Sequence, residues 1–455
     1  MNILFVIDKL GYSENTGIAH LSSIAKKEGH KTFFYSLDNL LLVDYVKKTK
    51  PDIIAYSCDS LSFNSTVMEN KILKNSYDFV SIMGGPHPTF DPESFNTSGM
   101  DAYCIGEGEY AFKEFLQHVE NNQSFDNIQN LITNKKNNPI RPLITNLDEL
   151  PMPDHDLILG NTFLGLTSKK SFLTSRGCPF NCSYCCNNVY KKIYKNKGRY
   201  VRRFSVDYKI NEIKYVKNKY RTDFIKLDDD CFCFKIDDWL KDFLNRYEQE
   251  IDVPFNCILR FDMVNDEMLT LLKNAGCYSV HLSIDSLNPD IRKNILHRNM
   301  NIDNDMMKNI LKKIRKHGIN TFVNFMLGIP TSSIQDEIDT IKFSNDSDIT
   351  YPAYTMTVPF YGTELYKFCV KNGFINTDYK HGDFYGYTSL NGFSMEQTII
   401  QHNIFFLGSL LSKIDKKYLE FFIPMIYEYN EKLYKDIWKK FYEFNIKNEI
   451  YKITD

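Results

Sequence analysis

Several things are scarce in this sequence. No run of apolar residues approaches the ~18 needed to cross a bilayer, so no membrane partner is expected. The net charge is only -2, which offers no global electrostatic case for nucleic acid or an anionic surface. The opening stretch Met1-Asn2-Ile3-Leu4-Phe5-Val6-Ile7-Asp8 lacks a basic leader and a small-residue cleavage site. It reads as a buried strand and not as a signal peptide, which points to the cytoplasm. Without an export signal, the eleven cysteines are expected in a reducing compartment, where clustered cysteines bind metal more often than they pair. The apolar fraction of 43% and charged fraction of 25% are ordinary for a globular chain, and 455 residues allow two or three domains.

What is present is a concentrated signal at Cys178-Pro179-Phe180-Asn181-Cys182-Ser183-Tyr184-Cys185. It follows a short apolar strand (Phe172 to Thr174) and the turn pair Arg176-Gly177. Three thiolates on one loop can ligate three irons of a cubane cluster and leave the fourth iron open.

Ahead of this loop, apolar runs alternate with amphipathic patterns. Strands are predicted at Ile3–Ile7, Thr32–Tyr35, Ile53–Tyr56, Phe79–Met83 and Ala102–Ile105. Helices fit Gly17–Lys27, Leu40–Lys48, Ser65–Lys74 and Tyr110–Val119. Continuous apolar strands with intervening helices predict an α/β, doubly wound parallel sheet over residues 1–125, with ligands at the carboxyl ends of its strands. Turn-rich segments fall at those ends. The most informative is Gly84-Gly85-Pro86-His87-Pro88-Thr89-Phe90, in which two glycines permit close backbone approach to a ligand and two prolines stiffen the loop. A glycine pair after a strand is also an ordinary turn. Residues 126–165 read as a linker, with a short pairing strand near Leu131-Ile132 and the extended, proline-broken segment Leu150-Pro151-Met152-Pro153-Asp154.

Beyond the cysteines the alternation resumes. Strands at Phe224–Leu227, Phe255–Leu259, Ser279–Ile284, Thr321–Leu327 and Ile349–Val358 follow helices at 206–219, 237–247, 266–275, 303–316 and 334–343. Six parallel strands with outer helices predict a partial (β/α)6 barrel over 166–365, its chemistry on the loops after the strands. Polar residues stand there: Asp228-Asp229-Asp230, Arg260, Ser283-Ile284-Asp285-Ser286 and Gly328-Ile329-Pro330. Acidic residues after a strand are also common helix caps. Residues 366–455 read as a helical C-terminal domain with an aromatic core.

The cysteine spacing at 178, 182 and 185, with Tyr184 before the last, resembles the radical SAM signature, and the strand ends across 166–365 resemble the rest of that barrel. The resemblance implies a [4Fe-4S] cluster on Cys178, Cys182 and Cys185. It also implies S-adenosylmethionine bound through its amino and carboxylate groups to the open iron and cleaved to a 5′-deoxyadenosyl radical. By the same resemblance Tyr184 meets the adenine through its backbone, the Asp228–Asp230 turn (Asp228 and Asp229 above all) faces the methionine amino group, and Ser283 with Asp285 lies near the ribose. Arg260 belongs to the same cofactor set. At 285 relatives usually carry glutamate.

Ser57, then Gly84-Gly85, then Gly106-Glu107-Gly108-Glu109, resembles the cobalamin-binding domain found in front of many radical SAM enzymes, over nearly all of residues 1–125. That implies cobalamin contacts from Ser57, Gly84, Gly85, Pro86, His87, Thr89, Glu107, Gly108 and Glu109. The loop after the first strand reads Asp8-Lys9-Leu10-Gly11, without the histidine of methionine-synthase-type domains, and the third strand ends Ser57-Cys58-Asp59. Cobalamin is therefore expected without a lower histidine ligand; the alternative is a lid that no longer binds it. His20 and His30 read as surface or packing residues.

The combination implies a cobalamin-dependent radical SAM methyltransferase that methylates a carbon or phosphorus centre through methylcobalamin. It would take a small-molecule or peptide substrate and a flavodoxin- or ferredoxin-type electron donor. Two alternatives stay open: ring rearrangement or cyclisation with cobalamin non-methylating or absent, and a corrinoid- or iron–sulfur-binding regulatory module. The run Lys191–Arg203, with seven Lys or Arg and no acid, is either a solvated surface or an attractor for an acidic donor, an anionic substrate or cobalamin's tail. Cys186, Cys231 and Cys233 have no settled role: Cys186 directly follows Cys185 and the two cannot reach one iron site, while for Cys231 and Cys233 buried small hydrophobes are the plainer reading, the other being a substrate contact or a second thiol.

Overall fold

The structure is a computed structural model and describes all residues except 38–41, 377, 378, 380–383, 454 and 455. The start of the helix expected from Leu40 lies outside the described residues. From Leu42 to Thr49 that helix is present.

The first sheet contains β1 (Asn2–Ile7), β2 (Lys31–Ser36), β3 (Ile53–Ser57), β4 (Val80–Gly84), β5 (Ala102–Cys104) and β6 (Leu131–Thr133). Its order is β2-β1-β3-β4-β5-β6. The first five strands pair in parallel; β6 joins β5 antiparallel, which is the pairing expected near Leu131-Ile132. Ile3 to Ile7 are all buried because helices cover both faces, and this is why the strands read as unbroken apolar runs. The order reverses between β1 and β3, so the crevice at their carboxyl ends is where this topology opens a ligand site.

The second sheet holds β7 (Lys169–Phe172), and later in the chain β10 (Phe224–Leu227), β11 (Phe255–Ile258), β12 (Cys277–Asp285), β13 (Asn320–Leu327) and β14 (Tyr351–Met356). All neighbours are parallel, in the order β14-β13-β12-β11-β10-β7. This is the expected six-stranded partial barrel. Between β7 and β10 the chain makes the small antiparallel ribbon of β8 (Ser175–Arg176) and β9 (Arg202–Arg203). The ribbon ties together the two ends of the segment carrying the cysteines and the basic run.

The C-terminal helices lie along the side and base of the barrel, and one of them also reaches a strand end: Gln401 donates to Glu337 (3.1 Å), which accepts from Gly328 N (2.8 Å) just after β13. Helix Met395–Leu411 runs along β14, where Ser409 donates to the Pro352 carbonyl (2.6 Å). The last turn reaches the start of the barrel strands: Ser279 Oγ donates to the Ile450 carbonyl (2.5 Å) and Asn320 Nδ2 to that of Glu449 (2.7 Å). The apolar face of this segment is satisfied by the bottom of the barrel, with Ile446 and Ile450 packed on Tyr351 and Ala353.

The linker packs between the two sheets. Asp154 accepts from Ser22 (2.5 Å) on helix Thr16–Lys27 and ion-pairs with Lys26 (2.6 Å). Next to it His155 is buried, its Nδ1 2.7 Å from Glu14 and its Nε2 3.3 Å from Glu212 on helix Val206–Lys219. Glu212 also pairs with buried Lys209 at 2.6 Å. Burial alone would strip His155 of its proton, but the two carboxylates outweigh it and raise its pKa to about 9. The unfolded value is about 6.5. A folded pKa above the unfolded one stabilises fully below pH ~6.5, and that stabilisation, ~3 kcal/mol, is lost as pH rises through about 9. We therefore expect His155→Gln to flatten the decline in thermal midpoint across that window. An unchanged slope in parallel melts would refute the assignment.

Candidate active site between the two sheets

The cysteine loop leaves the β8–β9 ribbon at Gly177. Its φ of +85° and the Tyr200 carbonyl, 2.7 Å from where a Cβ would stand, admit only glycine without rearrangement. The loop is then held mainly by backbone and amide contacts. Cys178 N donates to Asn187 Oδ1 (3.1 Å), Ser183 N to the Leu296 carbonyl (2.9 Å), and Ser183 Oγ to the Ile295 carbonyl (2.6 Å). All eleven cysteines are unpaired. Burial pushes Cys178 up to about 11 and also raises Cys182, whereas Cys185, hydrogen-bonded by Cys186, is lowered to about 7. Among the described residues no group of three or more His, Cys, Asp or Glu is set to hold a single metal ion. A cubane has no such need: each thiolate binds its own iron, so three thiols spread along one loop fit a cluster better than a mononuclear ion.

Beside the loop stands a buried knot that sequence reasoning only partly found. The Tyr184 hydroxyl donates to Asp285 Oδ2 (2.6 Å). Arg298, 8% exposed, donates to that hydroxyl (3.0 Å) and to the Ser283 carbonyl (2.6 Å), pairs with Asp285 (3.2 Å) and lies 3.9 Å from Cys182 Sγ. Asp285 sits at φ +66°, where the register between β12 and β13 shifts. Left-handed backbone in a non-glycine residue is a cost of order 1 kcal/mol that the knot offsets. Tyr184, Ser283 and Asp285 are thus brought together with the cluster loop, and Arg298 is the hub that unites them.

The other strand-end residues have partners of their own. The Asp229 carboxylate is fully buried and accepts from Thr174 N (2.9 Å), Ser175 N (2.6 Å) and Ser175 Oγ (2.5 Å), which clamps the corner from which the loop starts. Asp228 pairs with Lys226 (2.8 Å). Arg260 pairs with Asp262 (2.7 Å) and spreads its guanidinium over Phe180 of the loop, 3.8 Å from the ring centre. Cys231 and Cys233 are buried.

A cavity of about 580 Å³ lies between the sheets. Its apolar floor is Phe5, Ala55, Ile82 and Phe112 from the first domain. Its rim on that side is Ser57, Gly84, Gly85, Pro86 and Gly106–Glu109. Gly177, Cys186, Asn187 and Asp230 line it from the cysteine side, which gives Cys186 a location if not yet a role. A Cβ on Gly85 (φ +100°) would meet the Cys58 carbonyl at 2.9 Å, and one on Gly106 the Tyr194 hydroxyl at 2.1 Å. Thr89 stitches the two glycine turns, donating to the Gly85 carbonyl (3.0 Å) and accepting from Gly106 N (3.0 Å). His87 is placed differently: it packs against Phe63 (4.1 Å between ring centres) and bonds to Ser60 (3.1 Å), outside the cavity lining.

The acidic turn joins the domains. Arg202 forks onto Glu107 (2.6 and 3.1 Å), and Arg176 reaches both Glu107 (3.3 Å) and Glu109 (2.5 Å). Burial opposes the charge on Glu109, but Arg176 prevails and holds its pKa below the ordinary value. The basic run is therefore two things. Arg202 and Arg203 belong to the interior, while Lys192, Lys195 and Arg199 are exposed.

A glycine-walled cavity with a flat apolar floor fits a corrinoid, and the open three-thiol loop fits a cluster. Comparison with known proteins agrees. A family model of the radical SAM superfamily matches residues 172–344, and one of the B12 binding domain matches residues 5–116. An uncharacterized methyltransferase of Pyrococcus horikoshii is 28% identical over 378 residues, 79% of each chain. The cytidylyl-2-hydroxyethylphosphonate methyltransferase of Streptomyces wedmorensis is 21% identical over 395 residues, 76% of this chain and 71% of that one. Among solved structures, the radical S-adenosylmethionine methyltransferase TsrM of Kitasatospora setae superposes with a TM-score of 0.67 over 83% of this chain and 77% of its own; at 14% identity this likeness is one of fold. With both domains matched in tandem and methyltransferases among its relatives, the chain carries a radical SAM domain behind a B12-binding domain, and these imply a [4Fe-4S] cluster, S-adenosylmethionine and cobalamin as its cofactors.

Proposed function

We propose that the protein transfers a methyl group from S-adenosylmethionine to a carbon or phosphorus centre of a small-molecule or peptide substrate, with cobalamin as the methyl carrier. The observation that carries this reading is one cavity lined both by the glycine turns of the first domain and by Cys186 and Asn187, which open the helix directly after the cysteine loop. When bound, the cluster supplies the electron that cleaves S-adenosylmethionine, and the corrinoid supplies a methyl relay. In this reading Cys178, Cys182 and Cys185 hold the cluster. The Tyr184–Asp285–Arg298 knot fixes the wall beside it. Ser57, Gly84, Gly85 and Gly106–Glu109 hold the corrinoid, and the buried setting excludes water from a reactive radical.

S-Adenosylmethionine labelled in its methyl group tests the proposal. Label should appear in product, with S-adenosylhomocysteine and 5′-deoxyadenosine formed together. Full-rate product formation by corrinoid-free protein would refute it.

The electron donor is proposed to dock on the exposed part of the basic helix Cys186–Ile193 and its extension. Lys191 there donates to the Phe180 carbonyl of the cluster loop (2.5 Å), so the surface is one side chain from the cysteines. Charge reversal of Lys192 and Lys195 to glutamate should slow turnover driven by an acidic flavodoxin about tenfold at low salt. Turnover driven by dithionite should not change; equal slowing with both reductants would exclude this docking surface.

A further inference from the structure

The lumen of the barrel is open. Along its strands, side chains alternate between the helix-covered outside and the lumen. On the outside Ile225, Leu227, Val280, Leu282, Val323 and Phe325 are fully buried. On the inside Lys226, His281, Ser283, Asn324, Met326 and Thr355 all keep part of their surface exposed. A full eight-stranded barrel fills this space with branched side chains. Here polar groups line it and leave it unfilled. Its floor is sealed: Asn256 donates to Ser279 (2.8 Å), Ser279 to the Ile450 carbonyl (2.5 Å), and Phe224 packs on Tyr451 (5.6 Å between ring centres). The lumen is therefore a cup, closed below by the last turn of the chain. It opens at the strand ends, where Ser283, Asp285 and the cysteine loop stand.

Two lysines face one carboxylate in this cup. Lys169 and Ser171 of β7 are level with Phe224 and Lys226 of β10, on the same side of the sheet. Lys226 pairs with Asp228 (2.8 Å). Lys169 has no carboxylate of its own, and its ammonium lies over the Tyr451 ring, 4.6 Å from the centre. Burial, followed by the charge of Lys226, holds the Lys169 pKa down to about 8, although Asp228 pulls the other way. At the mouth Arg298 and Asp285 offset each other (3.2 Å). Higher in the cup stand two neutral groups. His281 is edge-on to Phe322 (4.5 Å between ring centres). Burial and then Lys226 hold its pKa down to about 3 against the pull of Asp228. Among the described residues nothing hydrogen-bonds its ring nitrogens or the side-chain amide of Asn324. An ammonium without a counter-ion supplies charge, and an imidazole and an amide supply open N–H donors, which together suit an anion.

We propose that the cup is the substrate site and that the substrate is an acid, its carboxylate or phosphate held by Lys169 and Lys226 with His281 and Asn324 donating to it. The proposal rests on the methyl-transfer reading above only for what is done to the bound acid. An acid anchored toward the floor presents its far end at the mouth, beside the cluster loop. An ester or amide of the same molecule loses the charge that Lys169 meets and binds poorly.

Calorimetry of the reconstituted holoenzyme with malonate and with pyrophosphate tests this, at fixed ionic strength and with and without saturating S-adenosylmethionine. Anion should saturate one site, about tenfold weaker in Lys169→Met and restored in Lys169→Arg. Lys169→Met leaves the Lys226–Asp228 pair in place, and cluster absorbance and thermal midpoint report that the variant is folded. The tighter probe tells carboxylate from phosphate. No binding of either anion, or equal affinity in wild type and Lys169→Met, would overturn the proposal. So would loss of the site on adding S-adenosylmethionine, which would give the lysines to the carboxylate of that cofactor. Failure of the methyl-transfer reading looks different: anion binding dependent on Lys169 persists while methyl-labelled S-adenosylmethionine yields no labelled product.

Discussion

Cys182→Ala abolishes 5′-deoxyadenosine formation, by at least about 10⁴-fold, and bleaches the iron–sulfur absorbance of the reconstituted protein. The expectation follows from how few ligands the loop supplies. A cubane held by three thiolates has no spare protein ligand, and the open iron is committed to substrate chemistry. Cys182 is the most buried of the three at 9% exposure and lies 3.9 Å from the Arg298 guanidinium, so no solvent ligand replaces it readily. Cys178→Ala and Cys185→Ala should behave alike. Cys186→Ala should keep its cluster, because its side chain faces the corrinoid cavity. Retention of cleavage within tenfold of wild type in Cys182→Ala would mean that the loop is not the electron-transfer site.

The second large effect concerns stability. Arg202→Met should destabilise the chain by about 3 kcal/mol, because it leaves the half-buried Glu107 with only the 3.3 Å contact to Arg176 and the Ile144 amide at 3.2 Å. At an unfolding entropy of ~2.1 cal/mol/K per residue, that corresponds to a fall of about 3 °C in thermal midpoint for 455 residues unfolding together. Arg202→Lys should recover little, since an ammonium cannot reproduce the forked contact. Adding Glu107→Gln to Arg202→Met should recover a measurable part, because the uncompensated charge is gone. A single variant melting with the wild type would show that the fork contributes nothing net to the interface.

Much of this architecture was legible because both sheets are parallel and covered on both faces. Their strands read as apolar runs, and the positions of β1 to β5 and of β10 to β14 follow from those runs to within a few residues. The cysteine loop was legible because metal ligation needs residue type and spacing, both written locally. The rest depends on contacts between segments far apart in the chain. Asp229 reads as a cofactor carboxylate from its place at a strand end, and only the fold reveals that Thr174 and Ser175 occupy it. Glu107 and Glu109 look like ligand residues, yet they also carry the domain junction through Arg176 and Arg202. Arg298 has no periodicity of its own, and its importance lies in where its guanidinium ends up. The C-terminal helices show helical spacing but no address. It took the hydrogen bonds of Ile450 and Glu449 with Ser279 and Asn320 to place the last turn under the barrel.

The junction of Arg176 and Arg202 with Glu107 and Glu109 has a kinetic consequence. The cavity wall is shared by two domains, and the acidic turn that rims it is the same turn that bolts them together. Parting of those ion pairs would widen the way in for a bulky ring system. Cofactor exchange is therefore expected to respond to the strength of the junction as well as to the ligand's own contacts. The holoenzyme should hold its corrinoid through extensive dialysis, and mild weakening of the junction, by raised salt or by Glu109→Gln, should hasten exchange more than it lowers affinity.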